Sequence, residues 1–116
     1  MTDARQELGK SGEDLAVAAL ERLGYAILAR RYRTNHGEID IIARDGDTLV
    51  FVEVKARAGD DCGTAAEAVT RHKQRRLASM ASDYLARNDL SDVACRFDVV
   101  AIDGEVLTVL ANAFEA

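Results

Sequence analysis

One stretch constrains this chain more than any other: Gly37-Glu38-Ile39-Asp40-Ile41-Ile42-Ala43-Arg44, then an Asp45-Gly46 turn signal, then Leu49-Val50-Phe51-Val52-Glu53-Val54-Lys55. Two β-rich runs around a tight-turn dipeptide predict a hairpin over Gly37 to Arg44 and Thr48 to Arg57. Alternation sends Val50, Val52, Val54 and Ala56 to one face of the second strand, and Leu49, Phe51, Glu53, Lys55 and Arg57 to the other. That second face begins apolar and ends charged. Unpaired buried charge costs roughly several kcal/mol, and a divalent cation held between carboxylates is one of the few arrangements that offset it. The pattern predicts a metal-dependent site.

If Asp45-Gly46 is a two-residue loop, Arg44 faces Asp47, Asp40 lies opposite Phe51 and Glu38 lies opposite Glu53. Asp40 and Glu53 then become diagonal neighbours on one face, close enough to share an ion. Glu38 is a third carboxylate nearby, with no role assigned.

With 116 residues and no proline, repeat or Gly/Ser linker, the chain reads as a single domain over residues 1–116 with one core. The first helix is expected from about Ser11 to Leu23, with Ser11 and Asp14 spaced like a capping box and Gly24 as its stop. A strand follows over Tyr25 to Tyr32, then the hairpin, then a polar loop over Gly59 to Thr64. The second helix is expected from about Thr70 to Asn88, carrying Leu77, Met80, Ala81, Tyr84 and Leu85 on one side. Strands Cys95 to Ile102 and Glu105 to Leu110 flank an Asp103-Gly104 turn. This order predicts a mixed α/β sandwich, a central sheet flanked by helices.

No apolar run approaches the roughly 20 residues of a membrane span, and the N-terminus has no apolar segment like a secretory signal. The expectation is a cytoplasmic protein with no membrane partner. Cys62 and Cys95 lack the paired spacing of a zinc ribbon or redox motif. The net charge of −5 argues against a generally basic DNA coat, yet Arg30, Arg31 and Arg33 form one local patch. Arg71, His72, Lys73, Arg75 and Arg76 form another. Gly9-Lys10-Ser11 is not a phosphate loop, since Ala4 stands where its first glycine belongs and no strand precedes it.

Around the first helix, Glu13 falls between Leu20 and Val17 at the edge of the apolar stripe, so it should point toward the sheet margin. On the second helix Lys73 and Gln74 lie within the apolar arc, whereas Arg71, His72, Arg75 and Arg76 lie outside it. Glu13, Asp40 and Glu53 would supply hard oxygen ligands for Mg2+ or Mn2+. Lys55 would stand beside a metal-activated water, with Lys73 or Gln74 on a phosphate backbone.

An acid in the first helix, then Gly-Glu-Ile-Asp, then Glu-Val-Lys on a strand resembles the PD-(D/E)XK nuclease superfamily. More specifically, Gly12-Glu13-Asp14-Leu15-Ala16, Gly24-Tyr25, Gly37 to Arg44, Leu49 to Lys55, Glu67-Ala68-Val69 and Lys73-Gln74 resemble the bacterial YraN family over nearly the whole chain. The resemblance implies a restriction-endonuclease-like α-β-β-β-α-β fold similar to that of Holliday-junction resolvases. It also implies metal binding by Glu13, Asp40 and Glu53, with Lys55 acting on the water. Ala66 stands where the family has proline, and Cys62 where it has an aromatic residue, both beside the expected cleft.

The leading expectation is therefore a Mg2+- or Mn2+-dependent endonuclease acting on DNA, branched or structured DNA among its substrates. Lys73, Gln74, Arg57, Arg71 and Arg33 are the candidate nucleic-acid contacts. A homodimer would suit the cutting of paired strands, and repair or recombination proteins are the partners such a role implies. The alternatives are a non-cleaving nucleic-acid-binding module and a protein-interaction module on the same fold.

Overall fold

A computed structural model describes residues 4–57 and 69–115. Helix α1 (Ala4–Arg22) leads into strands β1 (Ala26–Thr34), β2 (Gly37–Asp45) and β3 (Thr48–Arg57). Helix α2 (Arg71–Arg87) then precedes β4 (Cys95–Asp103) and β5 (Val106–Phe114). The five strands form one sheet in chain order, antiparallel except for β3 beside β4, which run parallel. A parallel pair needs a crossover, and α2 lies on that connection.

Two expectations change. The first helix begins at Ala4, so Ser11 lies inside it and is no N-cap. Residues 4–8 are all strong helix formers, and Gly9 and Gly12 do not stop propagation. In the hairpin, Asp45 pairs with Thr48 and Ile42 with Phe51, so the two-residue loop is Gly46-Asp47 and Asp40 is not opposite Phe51. Gly46 takes φ 60° at the first loop position, a conformation glycine adopts without strain. Moving the loop by one residue slides the two strands by an even step. Asp40 and Glu53 therefore move from diagonal toward direct opposition. The polar loop expected over Gly59 to Thr64, with Cys62 and the Glu67-Ala68 segment, lies outside the described residues.

Each face of the sheet carries one helix. Ala16 and Leu20 of α1 pack with Ile41, Ala43, Val50, Val52, Val100 and Ile102. Leu77, Met80 and Ala81 of α2 pack with Ile42, Leu49, Phe51 and Phe97 on the opposite face. There Tyr84 meets Tyr32 and Phe51 edge-on at 5.2 and 5.8 Å between ring centres, which makes it core. Helix α1 ends where Gly24, at φ 93°, lets the Tyr25 N–H reach the Leu20 carbonyl at 3.0 Å. Thr70 caps α2, its hydroxyl accepting from the Lys73 N–H at 3.3 Å.

Two departures from regularity set the chemistry. Ala29 and Tyr32 both join the α2-side cluster, as do Ile39 and Ile42. Residues three apart cannot share a face of a regular strand. The break falls where Arg31 takes φ 52°, between the Arg30↔Ile41 and Tyr32↔Ile39 pairs, across from Asp40. Consequently Arg30 and Arg31, though adjacent, both reach the α1 side. At the other end of the sheet Asp98 is fully buried in β4. Its carboxylate accepts from Tyr25 Oη at 3.0 Å, Arg96 Nε at 3.0 Å and the Asn112 N–H at 2.9 Å. Arg96 also donates to the Tyr25 hydroxyl and pairs with Asp45 at 3.0 Å, so this charge is fully partnered.

Candidate active site

The β2–β3 ladder runs from Asp45↔Thr48 to Ile41↔Val52. At the next step, Asp40 Oδ2 accepts the Val54 N–H at 2.8 Å, a side chain taking a backbone donor next to Glu53. The two strands part there, and the gap between them and α1 is a cavity of about 270 Å³ lined by Gly12, Glu13, Asp40, Val54, Lys55 and Ala56.

Burial and the neighbouring Glu53 push the Asp40 carboxyl up to about 7, against the pull of the Val54 N–H. Glu53 is also raised, chiefly by burial, while Lys73, Lys55, Arg76 and a hydrogen bond with Asp40 hold it down. Two half-buried acids that resist joint ionisation form the local condition a divalent cation relieves. Asp40 and Glu53 thus fit Mg2+ or Mn2+ by donor type and by charge. Among the described residues no group of three His, Cys, Asp or Glu stands close enough to hold a metal ion.

Glu13 lies where the helical wheel put it, at the sheet margin and only 9% exposed. Its oxygens are occupied. Oε1 accepts from Arg30 Nε and Oε2 from Arg31 Nε, each at 2.9 Å. Arg30 also donates to Asp14 at 2.7 Å. The structure therefore brings Asp40, Glu53 and Lys55 together, with Glu13 beside them in a guanidinium grip.

The basic residues divide. Lys73 is half-buried and acts on Glu53 from α2, whereas Gln74 donates to the Val69 carbonyl at 3.2 Å and faces a cavity against β5. Arg71 lines a surface hollow with Gln74 and Arg75. Arg33 is exposed and pairs across the strands with Glu38 at 3.4 Å. Arg57 ends β3 level with Asp103, and its side chain lies outside the description. Arg76, read from sequence only as part of the basic patch of α2, acts on Glu53 and stands beside Gly37. Its place outside the apolar arc of α2 gave no sign of this. Arg30 and Arg31 were legible as a basic patch only, because nothing in the sequence marks the left-handed turn at Arg31.

A family model described as "Uncharacterised protein family UPF0102" matches residues 12–102. A UPF0102 protein of Herminiimonas arsenicoxydans is 48% identical, covering 97% of this chain and 90% of its own length. One from Symbiobacterium thermophilum is 50% identical over 96% of this chain and 98% of its own. Another, from Geobacter sulfurreducens, is 50% identical over 93% and 88%.

Proposed function

The chain belongs to the uncharacterised UPF0102 (YraN) family, and from its site we propose a Mg2+- or Mn2+-dependent endonuclease that hydrolyses phosphodiester bonds in DNA. One observation carries the reading: Asp40 and Glu53, both pushed toward the protonated form, meet where the β2–β3 ladder opens beside Lys55. Their four oxygens are hard donors. A bound cation supplies Lewis acidity to a water and to a phosphate oxygen. Asp40 and Glu53 hold it, and the Val54 N–H fixes the orientation of Asp40. Lys55, on the same cavity, orients the attacking water and stabilises charge building on the phosphate. Lys73 and Arg76, approaching from α2, contact the strand beyond the scissile bond.

Purified protein incubated with branched, flapped, single-stranded and duplex DNA in Mn2+ tests this reading. Cleavage of at least one substrate, absent in Asp40→Ala, is the expected result. No cleavage above that control on any substrate overturns it.

The occupied oxygens of Glu13 favour a second reading, a nucleic-acid-binding module that holds its substrate uncut. Binding that survives Glu53→Ala and weakens steeply with salt, without cleavage, would select it.

A further inference from the structure

Adjacent residues of a regular strand point to opposite faces, so two neighbouring guanidiniums on one carboxylate require a departure from the strand. Arg31 makes it with φ 52°, a left-handed conformation that a residue bearing a Cβ adopts only under strain. The result is asymmetric. Glu13 keeps only 11% of its side chain exposed, while Arg30 and Arg31 keep 40% and 52%. An incoming solute meets the bases before the acid.

We propose that Arg30 and Arg31 form a phosphate-receiving pair that withholds Glu13 from the cation until a phosphodiester anion takes its place, an inference that rests on the metal-site reading above. A guanidinium donates to phosphate and to carboxylate in the same planar geometry, so a phosphodiester competes with Glu13 for the same Nε–H donors. Asp14, exposed and 2.7 Å from Arg30, keeps that arginine on the α1 side when Glu13 leaves. Glu13 already lines the cavity with Asp40, so its release adds a third carboxylate to the pair formed by Asp40 and Glu53. One acid serves two competing partners. Phosphodiester and cation therefore strengthen each other's binding.

The test titrates Mn2+ into the full chain, reading free ion by electron paramagnetic resonance, with and without dimethyl phosphate at matched ionic strength. Arg30→Gln with Arg31→Gln should bind Mn2+ about tenfold tighter than wild type, the lower end of effects seen around metal ligands. Adding Glu13→Gln should cancel that gain. Dimethyl phosphate should tighten Mn2+ binding in wild type and leave the double variant unmoved. Should the double variant fail to fold, Arg31→Asn tolerates the left-handed conformation, keeps the Arg30 bond, and should show a smaller gain of the same sign.

A gain that survives Glu13→Gln means only that positive charge was removed, and overturns the proposal. So does a loss on Glu13→Gln alone as large as that of Asp40→Asn, since Glu13 would then already be a ligand. Mn2+ binding abolished by Asp40→Asn but unmoved by the arginine variants overturns the grip and leaves the site reading standing. No Mn2+ binding in any variant overturns both.

Discussion

The carboxylate of Asp40 accepts the backbone N–H of Val54 at 2.8 Å, and Val54 stands between Glu53 and Lys55. That bond ties the end of β2 to the stretch of β3 that carries the chemistry. It aims one carboxylate at the other without help from a loop.

Without metal, pH acts on the stability of the fold through Asp40. Burial, with Glu53 beside it, pushes the Asp40 carboxyl up to about 7 in the folded chain from its ordinary 3.8. Between those values the folded form holds the extra proton, so stability falls as pH rises through the window and levels off above it. Asp40→Asn should therefore stabilise the metal-free protein at pH 8 by on the order of a few kcal/mol. The gain should fade toward pH 4, as urea denaturation at the two pH values would record.

A cation reverses that penalty. Millimolar Mn2+ should raise the melting temperature of wild type, more at pH 8 than at pH 5.5, because protons compete for the same oxygens. Asp40→Asn and Glu53→Gln should each abolish the shift in a thermal melt.

Lys55→Met separates binding from chemistry. Cleavage should drop by about two orders of magnitude or more, as when a positioned charge-stabilising group is removed. The Mn2+-induced rise in melting temperature should persist. Loss of both would move Lys55 from chemistry to structure.

Lys73 and Arg76 act on Glu53 from α2. Replacing both with alanine should weaken DNA binding across sequences and lower the salt dependence by about two charges. Fluorescence anisotropy between low and moderate salt reads that slope.

Asp98 should behave as a structural residue. Asp98→Ala strands the Tyr25 hydroxyl, Arg96 and the Asn112 N–H, costing about 3–5 kcal/mol in chemical denaturation. The Mn2+ response of the molecules that remain folded should be unchanged.

Much of this was readable in the residues themselves. Alternation along Thr48–Arg57 assigned Phe51 and Glu53 to one face, and the error in turn position preserved that face because it moved the register by an even step. Helical spacing placed Glu13 at the sheet margin, and Lys73 inside the α2 arc. Three-dimensional detail carried the rest. The grip on Glu13 depends on a single backbone angle at Arg31, which an arginine gives no reason to expect. Gln74 shares the apolar arc with Lys73, yet its amide turns to the Val69 carbonyl, and helical periodicity does not resolve such a choice.

Strand order that follows chain order has a consequence for how the molecule assembles. β1, β2 and β3 join through tight reversals, as do β4 and β5, so each group closes with short excursions of the backbone. Among the strand pairings of the described residues, the distant one is β4 alongside β3. Since Asp40 and Glu53 both lie in the first group, the short β2–β3 hairpin alone suffices to bring the two acids together, whereas the core beneath them is completed only with Val100 and Ile102 of β4.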